Sequence, residues 1–242
     1  MTPDELNAEV SLPLGGLGGS FYFAPATLER GKALGLDGFR FYFAGRGGVL
    51  GDVEPAVVQS AFGYFHPALV GKIWTSALER VPAREAARAY VEACRDHGRK
   101  LFDGLDGLDG FCDAAESVVA ATHPAALALY AGWASEPLPD DVPGRAMQLA
   151  TVLRELRGGV HLVAIVAQGL SPEMAHYLKR PDDYTTFGHP EPAPEATDAH
   201  RAAHEAAEAL TDELMAGHYE VLDDAARDAL ATGVRAMQAA AA

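Results

Sequence analysis

The sequence predicts an all-α protein built from tandem helix-turn-helix units in a pseudo-twofold arrangement. Three observations lead to this class. Hydrophobic residues make up 49% of the chain and alanine is abundant, which favours helices over strands. Residues 153–180 have the pattern of a helix, a tight turn and a second helix, and residues 38–62 follow a similar order. At 242 residues, the chain can bury a core as one large domain or two small ones.

The helix-turn-helix at 153–180 is marked by residues that end one helix and begin the next. Gly169 fits the left-handed residue that closes a helix. Ser171 is a good N-cap, and Pro172 falls on the first helical position, where a missing N–H costs nothing. Gly158–Gly159, inside the first helix, fit the close approach of a backbone or a ligand, or a break in the helix. The apolar residues have the spacing of two helices, at Val160, Leu162, Val163, Ile165, Val166, Met174, Tyr177 and Leu178.

Residues 38–62 repeat this order of features at lower similarity. An apolar helix at Gly38–Arg46 is followed by the glycine-rich turn Gly47–Gly51. An acidic residue, Asp52, then precedes a proline and a second helix that reaches Phe62. Two copies of one arrangement indicate two related helical units and a pseudo-twofold between them.

These features divide the chain into three predicted parts. Residues 1–22 end in a glycine-rich run and predict a flexible N-terminal lead-in. Residues 23–134 form an aromatic-rich helical unit, and residues 144–242 form a helix-turn-helix unit with an acidic C-terminal helix. The proline-rich stretch 135–143 is the predicted boundary. Residues 181–197 hold four prolines and predict a loop or an extended crossing arm.

The charge of the chain disfavours DNA as a partner. The formal net charge is −15, whereas a protein that binds duplex DNA normally presents several cations on one face. Residues 153–180 have a net charge of only +2, so the remaining residues have a net charge of −17. This negative charge predicts long-range repulsion from a polyanion. The two cysteines, Cys94 and Cys112, suit a reduced cytoplasm. With neither a signal peptide nor a membrane-spanning run in the sequence, we expect a cytoplasmic protein.

Four polar residues in the first helix of 153–180 form one candidate site. Arg154, Arg157 and His161 follow steps of three and four and therefore share a helix face. Two guanidiniums and an imidazole there could grip a carboxylate, a phosphate or a polarised carbonyl. His161 is the predicted catalytic acid or base, because an imidazole titrates near neutrality, and Glu155 would orient it. The alternative is a solvated stripe in which Glu155 pairs with a neighbour.

A second candidate site is aromatic. Ten of the eighteen Phe and Tyr residues fall within residues 21–65. Arg46 and His66 lie among them, and an arginine in so apolar a segment needs a partner. Apolar walls with a few polar groups are the usual form of a small-molecule pocket, and an aromatic core or dimer interface is the alternative. The predicted walls are Phe41, Tyr42, Phe62 and Phe65, and the predicted polar contacts are Arg46, His66, Arg154 and Arg157.

Two further patterns are weak indications of a metal. His200 and His204 have the i, i+4 spacing of a helical metal pair but lack the Glu of a metalloprotease motif. Asp103–Gly110 alternates Asp and Gly without the spacing or the closing Glu of an EF-hand. We therefore predict no metal site, and the sequence leaves the cofactor open.

Three blocks of residues carry a family resemblance along most of the chain. The first block consists of Phe23-Ala-Pro25, Tyr42-Phe-Ala-Gly-Arg46, Leu50-Gly51, Val57-Val58, Phe62 and Phe65. The second block is Leu153-Arg-Glu155 with Arg157-Gly158 and His161, and the third is Thr211-Asp212. They resemble an actinobacterial family of largely uncharacterised proteins usually labelled helix-turn-helix proteins. The resemblance implies tandem winged-helix-like units of MarR-like shape, some of them encoded beside specialised-metabolism genes.

The sequence departs from this family at two places. The family's Arg-Gly-Asp-Gly-His is here Arg157-Gly-Gly-Val-His161, so an acidic group beside the histidine is missing. The longer tract that would form a wing and another helix after the second block is replaced by the short segment 181–197. This replacement counts against DNA contact by the second unit.

The leading prediction is a protein that binds a small, partly apolar molecule between its two helical units. It leaves open whether the protein is an enzyme of specialised metabolism that uses His161 as acid or base. The competing prediction is a MarR-type DNA-binding transcriptional regulator, with Met174–Arg180 exposed and paired across a homodimer about one DNA turn apart. A third is a haem or metal protein that uses His161 or His66. The predicted partners are the small molecule and, as an open question, a second copy of the chain, without a membrane and with DNA disfavoured.

Overall fold

Twelve α-helices and two single-turn 3-10 helices make up the fold, and no residue lies in a β-strand. The computed structural model describes all of residues 1–242, and the predicted all-α class is confirmed. The 3-10 helices are Gly48–Leu50 and Pro181–Asp183. The α-helices are α1 (Pro3–Leu17), α2 (Pro25–Ala33), α3 (Gly38–Gly47), α4 (Pro55–Phe62), α5 (Pro67–Leu78), α6 (Ala83–Phe102), α7 (Leu108–Ala121), α8 (Ala128–Ala134), α9 (Val142–Ala167), α10 (Pro172–Lys179), α11 (Asp198–Tyr219) and α12 (Asp224–Ala240).

The N-terminus is a packed helix and not the flexible lead-in that its glycines predict. Thr2 and Glu5 form a capping box, in which each side chain accepts a hydrogen bond from the other's backbone N–H. The glycines serve close packing instead, because a methyl group built on Gly18 would lie 2.8 Å from the carbonyl oxygen of Ala150 in α9. One face of α1 is buried against α9, α11 and α12, through Leu6, Val10, Leu14 and Leu17.

Two long helices, α6 and α9, pack on each other, and most of the other helices pack against one or both of them. Their backbones approach closely at Gly98 of α6, where a methyl group would lie 2.5 Å from the carbonyl oxygen of Pro143. Helix α9 runs without a break through Gly158 and Gly159. Gly159 makes room for Leu127, whose Cδ2 would lie 2.9 Å from an added methyl group. A close approach therefore explains Gly159, whereas nothing lies within 4 Å of a methyl group built on Gly158.

Two helix-turn-helix arrangements are present. The predicted one consists of α9, a turn and α10, with Gly169 at a φ of +69° and Ser171 Oγ accepting from the N–H of Met174 at 3.1 Å. The sequence predicts a second at 38–62, which is α3, the 3-10 turn and α4, but the helix that packs most closely on α4 is α5 and not α3. The N-terminal arrangement therefore consists of α4 and α5, joined by the turn 63–66. Gly63 at a φ of +71° closes α4 there and gives the turn the left-handed residue it needs. The pseudo-twofold between the two arrangements stays a prediction.

Residues 181–197 form a largely irregular segment that crosses both arrangements. The ring of Phe187 stacks on Phe65, with centroids 4.2 Å apart, and its centroid lies 3.9 Å from that of His176 in α10. Its carbonyl accepts a hydrogen bond from the N–H of His66 at 2.8 Å. The segment therefore ties the turn between α4 and α5 to α10. It contains no strand, so no β wing follows α10.

The hydrophobic core does not divide at the predicted boundary. A single cluster of 52 buried residues includes side chains from α1, from α3 through α9, and from α11 and α12. A smaller cluster of six lies under α10. The stretch 135–143 therefore separates helices that share one core, and the division into residues 23–134 and 144–242 stays a prediction about independent units. No helix is long and apolar enough to span a membrane.

Candidate functional site

A buried ion pair joins the first helical unit to the second. Arg46 on α3 donates from Nε and Nη2 to the two carboxylate oxygens of Glu155 on α9, and both hydrogen bonds are 2.8 Å long. Glu155 is 1% exposed and Arg46 is 9% exposed. This two-pronged geometry is the strongest form of an arginine–carboxylate contact. The expectation that Arg46 needs a partner is confirmed, and the partner lies on a helix more than one hundred positions away in the sequence.

Tyr22 and Arg154 complete the network around Glu155. The Tyr22 hydroxyl donates to Glu155 Oε1 at 2.9 Å and accepts from Arg154 Nη1 at 2.7 Å. The remaining Arg46 nitrogen, Nη1, donates to the Tyr42 hydroxyl at 2.9 Å. Burial by itself raises the pKa of Glu155, but the charge and hydrogen bonds of Arg46 outweigh it and lower that pKa to about 2. Glu155 is therefore ionised at neutral pH, with both oxygens occupied.

His161 belongs to a separate group of contacts with α11. Its Nδ1 lies 2.8 Å from the hydroxyl oxygen of Thr211. Because that hydroxyl donates its proton to the Ala207 carbonyl at 2.6 Å, Nδ1 of His161 is the donor toward Thr211. Burial lowers the pKa of His161 to about 4, so the ring is neutral at pH 7. The prediction that Glu155 orients His161 is wrong, because each side chain has other partners.

Glu208 on α11 gathers the cations that the sequence places near His161. Its carboxylate accepts from Lys179 of α10 at 2.7 Å and from Arg157 of α9 at 3.2 Å. His161 Nε2 lies 3.8 Å from the same group. Sequence reasoning missed Glu208, because it lies in an acidic helix where nothing distinguishes it from its neighbours. Arg157 is thus an ion-pair partner of α11, and it does not belong to the network around Glu155.

The two groups of contacts border a cavity of about 1210 Å³ between the helical units. Among the predicted wall and contact residues, Tyr42, Phe62, Phe65, Arg46, Arg154 and Arg157 line it. Phe41 does not, because it points to the opposite side of α3 and packs edge-on against Tyr90, with centroids 4.9 Å apart. His66 lies outside as well, where its Nδ1 caps α5 by accepting from Ala68 N at 3.2 Å. Any role of the lining residues in ligand binding or catalysis stays a prediction.

Of the two histidines with metal-pair spacing, His200 has a structural contact, whereas Nε2 of His204 is buried without a hydrogen-bond partner. His200 Nδ1 accepts from the backbone N–H of Thr197 at 3.3 Å and completes the cap of α11. No three His, Cys, Asp or Glu side chains are arranged to hold a metal ion. The spacing of His200 and His204 is therefore explained in part by the cap, and the alternative of a metal protein has no set of protein ligands to support it.

Helix α10 is the second helix of its helix-turn-helix, which is the position of the reading helix, the one that contacts DNA bases. Much of the surface of α10 is nevertheless buried. Met174, Ala175 and His176 are buried, which contradicts the expectation that Met174–Arg180 is exposed. Met174 and Ala175 are buried in the small cluster that α10 forms with α9 and α11, and Phe187 of the segment 181–197 covers His176. At the end of the helix, the ammonium of Lys179 is paired with Glu208. Arg180, just beyond, is exposed.

Residues 11–242 match the model of a helix-turn-helix family. Neither a curated protein nor a solved structure matches the chain. The family match confirms the resemblance to helix-turn-helix proteins drawn from the residue blocks. An actinobacterial origin and a MarR-like shape stay predictions.

The family match also corrects two predictions about function. A helix-turn-helix family points to DNA binding, so the leading prediction, a protein or enzyme that binds a partly apolar small molecule, is wrong. The ranking of DNA as a disfavoured partner is wrong for the same reason. That ranking relied on the net charge of the whole chain, whereas DNA is contacted by a local surface whose charge can differ from the total.

Proposed function

The chain belongs to the helix-turn-helix family whose model covers residues 11–242, and from this premise we propose that it binds duplex DNA and regulates transcription. The span of the match carries the proposal, because it includes nearly the whole fold and not only one pair of helices. We place this activity in the cytoplasm, which suits the unpaired state of Cys94 and Cys112.

The geometry supports this function through two helix-turn-helix arrangements held at a fixed distance. The Arg46–Glu155 pair connects α3, next to the first arrangement, with α9 of the second. Phe187 bridges the turn of the first arrangement and α10 of the second. A rigid fold holds a DNA-contacting helix at one fixed orientation toward the groove that it enters. We therefore assign Arg46, Arg154 and Glu155 a positioning role in this function.

The charge of the chain sets the expected behaviour of the complex. A net charge of −15 opposes the approach of DNA at long range. Binding must then come from a small positive surface that neutralises a few phosphates and releases their counterions. Affinity should fall steeply with salt and should be highest for a preferred sequence, because non-specific binding has little electrostatic support.

Fluorescence anisotropy with labelled duplexes tests the proposal. A random duplex library is first enriched for sequences that the full chain retains, and the affinity of enriched duplexes is measured between about 50 and 200 mM salt. We expect a preferred duplex and a log–log slope of about −3 or steeper, which corresponds to several phosphate contacts. The same strand without its complement is the control and should bind more weakly. No enrichment and no binding at about 50 mM salt would overturn the proposal.

A further inference from the structure

The cations without an acidic partner are concentrated in one part of the sequence. Of the nineteen Lys and Arg residues, fourteen form an ion pair with Asp or Glu. Four of the five others lie on α5, on the turn after it or on α6. The unpaired cations are Lys72, Arg80, Arg88, Lys100 and Arg180.

The local charge follows the same distribution. Residues 30–100 contain eleven Lys and Arg and seven Asp and Glu, a balance of +4 that leaves −19 for the remaining chain. Counterion release requires cations that are free to face phosphates. The N-terminal helix-turn-helix, with α5 as its second helix, lies within this positive segment, whereas α10 lies in the negative remainder.

Helix α5 leaves a complete face open along its length. Its 12 residues span about 18 Å, and its buried side is formed by Val70, Trp74 and Ala77. Residues Ala68, Lys72, Thr75 and Glu79 are all exposed. Their steps of four, three and four place them on one stripe. Small, hydroxyl and basic side chains occupy most of this stripe, and Glu79 is confined to the C-terminal end.

The end of α5 holds two more cations near this stripe. The guanidinium of Arg80 donates to the backbone carbonyl of Ser76. Arg40 of α3 donates from Nε to the Ser76 hydroxyl at 2.9 Å, and it is also paired with Asp37. Both arginines are therefore held beside the last turn of α5, but Arg40 is neutralised by Asp37, so Arg80 is the unpaired cation that the helix end adds to Lys72.

Helix α10 lacks these properties. It has 8 residues, about 12 Å of helix, and its central residues Met174–His176 are buried. Lys179 is neutralised by Glu208. A DNA contact there would have to break that ion pair and displace Phe187 from His176, and it would gain only Arg180 as an unpaired cation.

We propose that α5, and not α10, is the helix that enters the major groove of DNA. Ala68 and Lys72 in its N-terminal half, followed by Thr75 on the same stripe, face the base edges, and Arg80 contacts a phosphate. The major groove is about 12 Å wide and admits one helix, and reading helices make their base contacts with N-terminal residues. This inference rests on the proposed function, because it assigns the surface with which the chain binds DNA.

Matched neutralising variants on the two helices test the inference. Lys72→Gln and Arg80→Gln remove the cations of α5, Lys179→Gln and Arg180→Gln remove those of α10, and Lys32→Gln is an exposed control on α2. Each variant changes the net charge by one. Anisotropy with an enriched duplex gives the affinity and the salt slope, and circular dichroism confirms that each variant folds.

We expect Lys72→Gln and Arg80→Gln each to weaken binding about ten-fold. Arg80→Gln should also reduce the salt slope by about one, because one phosphate is no longer neutralised, whereas Lys72→Gln should reduce the preference for the enriched duplex over a random one. The α10 and control variants should stay within about two-fold of wild type. Weaker binding by the α10 variants but not by the α5 variants would overturn this inference and leave the proposed function intact. Equal effects at all five positions, the control included, would also overturn it. Absence of binding by the wild-type chain would overturn both proposals.

Discussion

Glu155 is the residue through which several distant parts of the chain meet. It accepts hydrogen bonds from Arg46 on α3 and Tyr22 ahead of α2, and it is paired with Arg154 on its own helix. Removing one partner of a buried ion pair leaves an uncompensated charge, which costs more than the pair itself contributes. Here the charge left behind would be that of Arg46, whose guanidinium has a pKa raised by Glu155 against the effect of its burial.

Replacing Glu155 by Gln should therefore destabilise the fold strongly. The expected decrease is about 3 kcal/mol or more in the free energy of unfolding, measured by urea denaturation with unchanged slope. Glu213→Gln is the matched control, since Glu213 is exposed on α11, and it should change stability by less than about 0.5 kcal/mol. A decrease below about 1 kcal/mol for Glu155→Gln would show that Arg46 does not depend on this carboxylate.

At the level of helices, α6 and α9 show that packing requires glycine at one helix position and not at another. Gly98 lies at their contact, where the backbone of α9 leaves no space for a methyl group. Gly158 lies in α9 with nothing within 4 Å of where its methyl group would be. Both are interior helix glycines, so both are intrinsically unfavourable to helix formation. Only the neighbouring helix distinguishes them.

Alanine substitution at these two glycines should have effects of opposite sign. Gly158→Ala should stabilise the protein by about 0.5–1 kcal/mol, because it removes the entropic cost of glycine without a clash. Gly98→Ala should destabilise it by about 1–3 kcal/mol, because the added methyl group forces α6 and α9 apart. Thermal or urea unfolding of the pair of variants measures both effects. Equal signs for the two variants would contradict the described packing.

Across the whole molecule, one core joins the two units that the sequence predicts. The cluster of 52 buried residues extends across the boundary at 135–143, and Arg46 of the first unit donates from Nε and Nη2 to the carboxylate of Glu155 in the second, at 2.8 Å each. Two units that share one hydrophobic core cannot unfold independently of each other. The relative position of the two helix-turn-helix arrangements is then a property of the complete fold.

We therefore expect the chain to unfold in one transition. Urea denaturation followed by tryptophan fluorescence, which reports on Trp74 and Trp133 of the N-terminal half, should coincide with circular dichroism, which reports on all twelve helices. Coincident midpoints and slopes are the signature of a cooperative transition. Two separated transitions would instead support residues 23–134 and 144–242 as independent units.

The amino-acid pattern alone is enough to predict the class of the fold, the helix-turn-helix at 153–180 and the need of Arg46 for a partner. These properties are local, since caps, glycine turns and apolar spacing act within a few residues. The pattern does not identify Glu155 as that partner, nor Glu208 as the partner of Lys179, because both contacts depend on how distant helices pack. The glycines of residues 1–22 likewise predict flexibility, whereas they permit close contact with α9.

Which surfaces remain accessible depends on the packing of the helices. By its sequence, α10 is a well-capped reading helix, but the segment 181–197 covers it and Glu208 neutralises its lysine. The sequence does not single out helix α5. Its stripe of Ala68, Lys72, Thr75 and Glu79 can be identified as an exposed face only once the opposite face is known to be buried. Exposure is a property of the assembled helices. Local pattern fixes where a helix begins and ends, whereas packing fixes which of its side chains can meet a partner.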